Sequence, residues 1–212
     1  MEANPVERKQ LITSVIAVIA FEVIAAALMS TNRFHPLAVQ GLARLAQTAM
    51  MISIVFVPRK SVSSIGLELS GMLYGLKRGL IWSAAFGLVV ALGSAVLIIF
   101  KTDPRALIHV ELPENQNDII LFFIVGGVLA PVAEEILFRG LLYGFFRQWG
   151  VAVALLTSTS FFVLAHLTTS GVSLIQVIGG ILFAASYELG KNLWSPITIH
   201  ILGNLSIFAL SL

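Results

Sequence analysis

DIILFFIVGGVLAPVAEEILFRGLLYGFFR, residues 118–147, is an almost unbroken apolar run with two glutamates and an arginine set in its middle. A helix crosses a bilayer with ~20 apolar residues, range ~17–25. This run is longer, so it must tilt, kink or project past the bilayer, and Pro131 is the expected kink site. Working outward, comparable apolar stretches occupy residues 11–31, 37–57, 79–100, 151–169, 171–189 and 194–212. The pattern predicts an all-α polytopic membrane protein of about seven transmembrane helices. It is expected to form one integral membrane domain over 1–212, with the chemistry concentrated in 118–212. Residues 58–78, PRKSVSSIGLELSGMLYGLKR, mix polar and apolar character and read as an interfacial segment.

Composition agrees. The 212 residues are 58% hydrophobic and 11% charged, against about 25% charged in an average soluble domain. Such a chain cannot cover a water-facing surface, so lipid is its main solvent. A net charge of +2 with no Lys/Arg block argues against nucleic-acid binding. The chain has no cysteine, which removes disulfides, thiolate nucleophiles and Cys-based metal sites. The first apolar run lacks a small-residue cleavage site and is expected to stay as a helix.

Positive charge in the connections sets the expected orientation. One set of alternate connections holds Arg8, Lys9, Arg59, Lys60, Lys77, Arg78, Arg147 and Lys191, and the other holds Arg33, Lys101 and Arg105. The N-terminus is therefore expected in the cytoplasm and the C-terminus outside it, in what is expected to be a bacterial inner membrane. Small residues recur every fourth position at Gly71, Gly75, Gly79, Ser83 and Gly87. Such a stripe admits close helix approach, as an internal packing face or as a homo-oligomer contact through Gly71, Gly75 and Gly79.

Ionisable residues inside spans cost ~2.5–3.5 kcal/mol each on insertion scales and need a partner or a task. Glu135 and Arg139 are four apart on one helix face and can neutralise each other. Glu134 is rotated about 100° from Glu135 and is left as the available carboxylate. Phe162 precedes His166 by four residues, so its ring can pack on the imidazole. Glu134 lies about 15 residues before the turn at Trp149–Gly150 and His166 about 16 after it. Equal depth on adjacent antiparallel helices predicts a Glu134–His166 contact. His200 and Asn204 share a face of the last span. Their depth fits only if residues 188–196 dip into the membrane or the last helix starts deep. Glu22 and Arg44 match in depth and read as a structural ion pair, while His35 and His109 in the connections are assigned no role.

These three clusters resemble the CPBP family of CAAX prenyl-protein endopeptidases and bacteriocin-processing proteases. Its two glutamates followed by an arginine match Glu134, Glu135 and Arg139. Its Phe and His four apart match Phe162 and His166, and its His and Asn four apart match His200 and Asn204. The resemblance covers roughly 118–212 and implies an intramembrane endopeptidase acting on a membrane-associated peptide or protein. The chemistry of the residues agrees, because an activated water and a stabilised oxyanion suffice for peptide hydrolysis. Glu134 and His166 are then the expected acid–base pair, with His200 and Asn204 as oxyanion donors and Glu135, Arg139 and Phe162 in support. No cofactor is expected in this version. The alternative is a zinc protease with Glu134, His166 and His200 as ligands. A non-enzymatic immunity or helper protein, or a proton-relay transporter, would use the same buried groups without hydrolysis.

Overall fold

The structure is a computed structural model that describes residues 6–104, 110–167 and 174–212. Arg105, His109 and the inner ends of the two stretches 151–169 and 171–189 lie outside the described residues. The described residues form seven main helices and no strand. In chain order these are α1 (Arg8–Ser30), α2 (Pro36–Arg59), α3 (Met72–Ile99), α4 (Gln116–Trp149), α5 (Val151–Ala165), α6 (Leu174–Gly190) and α7 (Trp194–Leu210). The first four are long and apolar enough to cross a membrane. α5 and α7 have 15 and 17 residues, at or below the lower end of the spanning range, and α6 is described from Leu174 for 17 residues.

Local chemistry explains the boundaries. Glu7 and Gln10 form a reciprocal cap at the start of α1. Pro36 opens α2, where its missing N–H costs nothing. Lys60 closes α2 in the left-handed region at φ 54°, with its N–H on the Phe56 carbonyl. Asn115 caps α4 by accepting from the Asn117 N–H at 2.9 Å.

Two wide π-helical stretches interrupt α4, at Val125–Leu129 and Ile136–Tyr143. They bracket the α-helical hexapeptide Ala130–Glu135. Pro131 lacks an N–H and crowds the carbonyl of Gly127, four residues back. The wide turn before it accommodates that ring within a continuous helix. The pair Glu134–Glu135 thus sits between two departures from α geometry, a setting common at functional sites.

The expected interfacial segment 58–78 is shorter than the sequence suggests. Arg59 ends α2, and Met72–Arg78 form the first turns of α3. Between them two short 3₁₀ turns tuck Ile65 into the core, where it meets Gly140 and lies beside Leu193. Gly66 is required there. Its φ is +70°, and a Cβ would stand 2.8 Å from the Lys191 carbonyl oxygen.

The glycine stripe is an internal packing face. Gly71 and Gly75 lie against Asn192, and Gly79 lies against Thr198 and Ser195 of α7. Gly75 and Gly79 are buried by these contacts, and Gly71 is half-buried. Gly87, farther along, meets nothing within 4 Å.

The core is built on the lower half of α4. Ala133, Ile136, Leu141 and Tyr143 pack with Ile65, Leu193, Ile197 and Ile199. A clamp fastens the same end. Glu188 accepts from both Nε and Nη2 of Arg147 at 3.0 Å, from the Tyr143 hydroxyl at 2.7 Å and from Lys191 Nζ at 2.6 Å. At the opposite end His35 and Asp118 are 2.9 Å apart, so α2 and α4 start side by side and run parallel.

Candidate active site

α4, α5 and α7 deliver the residues singled out from the sequence to one place. Glu134 Oε2 stands 3.5 Å from Nε2 of His166 and 3.8 Å from Nε2 of His200. Glu134 is 15% exposed and His166 28%, whereas Glu135 and Arg139 are fully buried. The depth match between Glu134 and His166 is thus realised as a contact.

Each imidazole is held through its other nitrogen. His166 ends α5, and its Nδ1 lies 2.7 Å from the Phe162 carbonyl oxygen. A carbonyl only accepts, so Nδ1 carries the hydrogen, and in the neutral ring Nε2 turns a lone pair toward Glu134. The Phe162 ring packs on the imidazole at 4.5 Å between centroids. His200 Nδ1 donates to Glu135 Oε1 at 2.8 Å, which leaves its Nε2 facing Glu134 in the same way. Phe183 stacks on the His200 ring at 4.5 Å and 20°.

Glu135 and Arg139 form the buried pair that their spacing predicts, at 2.9 Å. Arg139 also donates to the Gly180 carbonyl at 3.2 Å. Its guanidinium lies 4.5 Å from the Phe162 ring centre and 5.1 Å from that of Phe183. One cation therefore gathers α4, α5 and α6 around the two histidines. Phe183 and Gly180 carry no sequence signal for this role, since an apolar residue and a glycine in a span read as packing.

The depth difficulty at His200 is resolved by the connection before α7. Leu193 is fully buried and lies at the level of Gly140, one helical turn and more above the end of α4. The connection dips and the last helix starts deep, so six residues of α7 suffice to bring His200 to Glu135. Asn204 is half-buried and donates from Nδ2 to the Gly126 carbonyl at 2.9 Å, in the first π-helical stretch. It therefore lies on the Gly126 side of the cluster, away from Glu135.

Glu22 and Arg44 pair as their depths predict. Sequence reasoning missed Gln47, which is 1% exposed. It accepts from Arg44 Nη1 at 2.8 Å and donates to Glu22 at 2.8 Å. Its signal was legible as a third polar residue, one turn from Arg44 in an apolar stretch.

Among the described residues, no group of three His, Asp or Glu side chains is spaced to hold a metal ion. Fold and site together define a membrane protein with a carboxylate–histidine centre inside its helical bundle. Residues 116–206 match the family model described as Rce1-like, type II CAAX prenyl endopeptidase, in agreement with the resemblance of the three clusters to the CPBP/CAAX protease family. No curated protein and no solved structure matches the chain.

Proposed function

We propose that this chain is an intramembrane endopeptidase in which Glu134 activates a water against a peptide bond of a membrane-associated substrate. The observation that carries this is the convergence of three acceptors. With both rings neutral, the Glu134 carboxylate oxygen and two imidazole lone pairs face one another, and none can donate to the next. A water molecule complements them, because it donates one hydrogen to Glu134 and one to an imidazole. Its own lone pair is then left for the scissile carbonyl carbon.

As the water oxygen bonds to that carbon, Glu134 takes its proton and the carbonyl oxygen becomes an oxyanion. The amide of Asn204 has a second N–H uncommitted among the described residues and donates to it. His200 can donate through Nε2 once it is an imidazolium. The C–N bond then breaks, and Glu134 or His166 delivers the proton to the leaving nitrogen. Glu135, Arg139 and Phe162 act through the histidines by fixing their orientation. Zinc held by Glu134, His166 and His200 is the alternative reading of the same donors, and the experiment below separates the two.

The test is cleavage of an S-farnesylated peptide by the purified, reconstituted chain, read by mass spectrometry. Wild type is expected to cut and Glu134→Gln to be inactive. Elemental analysis should find less than one zinc per chain, and prolonged chelation should leave cleavage largely intact. Stoichiometric zinc, loss on chelation and rescue by added metal would establish the zinc mechanism instead.

A further inference from the structure

Arg44 has one nitrogen occupied and one edge unused. Its Nη1 donates to both Glu22 and Gln47. Its Nε and Nη2 donate to nothing among the described residues, and the side chain is 27% exposed. Neutralising a buried arginine requires only a carboxylate. Here a nearly inaccessible glutamine also grips both partners, with a further contact to the Val18 carbonyl. That fixes the guanidinium plane, which charge balance alone does not demand.

Arg44 is carried by a helix that packs against the catalytic segment of α4. α2 runs parallel to α4 and packs against its hexapeptide Ala130–Glu135. Gly41, just under one turn before Arg44, abuts Val125 and Leu129 of α4. Counting ~1.5 Å per residue from the paired ends His35 and Asp118, Arg44 lies roughly 10 Å above Glu134 along the bundle. That level is well inside the bilayer, too deep for a lipid phosphate to be the natural partner.

We infer that Arg44 anchors a carboxylate of the peptide substrate, through the Nε–Nη2 edge, a few residues from the bond that Glu134 attacks. Two parallel N–H donors in a plane match a carboxylate and reject an amide. The carboxylate can be the substrate's own C-terminus or an acidic side chain near it. This specificity rests on the endopeptidase reading, and its test separates the two.

Binding is measured with the full-length Glu134→Gln chain in lipid nanodiscs, so that nothing is consumed. The probes are one S-farnesylated peptide with a free C-terminal carboxylate, its C-terminal amide, and the amide form with an aspartate near the end. The free acid is expected to bind about tenfold or more tightly than the amide. Recovery of affinity in the aspartate peptide assigns the anchor to a side chain, and no recovery assigns it to the terminus. Arg44→Lys keeps a cation for Glu22 but loses the planar edge, and should reduce the preference below about threefold. Equal binding of acid and amide, or binding of neither, overturns the inference. Acid preference without cleavage by the wild-type chain would sink the protease reading and leave the anion anchor standing.

Discussion

Glutamine at position 134 and glutamine at position 135 should fail in different ways. Glu135 places Oε1 between Arg139 and His200, and its Oε2 meets no partner among the described residues. Glu135→Gln strands a fully buried guanidinium, a change that typically costs about 3–5 kcal/mol. Thermal unfolding in detergent should therefore fall sharply for that variant. Glu134→Gln leaves Arg139 paired and should unfold near wild type, yet lose cleavage by at least about 10²-fold. Equal loss of stability in both variants would contradict the division of roles. His200→Gln keeps a donor near the oxyanion but loses its bond to Glu135. Its cleavage should drop by about 10²–10³ rather than vanish, measured as kcat on the same peptide. The residues of this centre were legible because charge inside an apolar run has few explanations. Their mutual orientation was not, because it depends on the Phe162 carbonyl, the Phe183 ring and the Gly180 carbonyl, which no spacing rule marks.

At the scale of elements, α3 and α7 meet through glycine. A side chain at Gly79 would collide with Thr198 and with the Ser195 carbonyl, which cannot yield without moving α7. Gly79→Leu should separate the helices, destabilise the protein by more than about 2 kcal/mol and displace His200. Gly87→Leu, on the same helix but in open space, should leave the melting temperature nearly unchanged. Similar losses at both positions would show that helix propensity, not packing, sets the effect. The stripe was visible in the sequence, but which helix filled it was not. That choice rests on Asn192, which donates to the Gly71 carbonyl at 2.8 Å while accepting from the Trp194 N–H at 3.0 Å. The α1–α2 hairpin makes the same point with Gln47. Gln47→Met should cost about 1 kcal/mol or more. Its effect should be non-additive with Glu22→Gln in a double-mutant cycle, since both act on one network.

For the whole molecule, seven apolar stretches gave seven main helices among the described residues, and the count was readable from length and hydropathy alone. Their reach was not. The sequence extends the fifth and seventh stretches to 19 residues each, whereas α5 and α7 have 15 and 17. α5 stops at Ala165 because His166 leaves the helix to take its place beside Glu134. Apolar composition continues past that point and hides the boundary. The expected orientation follows the excess of Lys and Arg near residues 8, 59, 77, 147 and 191. Reporter fusions after residue 34 and after residue 110 should read extracytoplasmic, and fusions near 65 and 149 cytoplasmic. A cytoplasmic signal at 110 would reverse the arrangement.

The shortness of α5 and α7 has a consequence for the lipid around them. At ~1.5 Å per residue they span about 22–26 Å, less than the ~30 Å of an average hydrocarbon layer. Hydrophobic mismatch of that size thins the bilayer beside these helices or draws headgroups and solvent down to their ends. His166 closes the shortest of them, so the thinned patch lies against Glu134. Hydrolysis consumes one water per turnover, and the deformed bilayer shortens that water's path from the surface. Activity should then depend on acyl-chain length, being greatest in thin vesicles and falling as longer lipids restore a thicker barrier over the site.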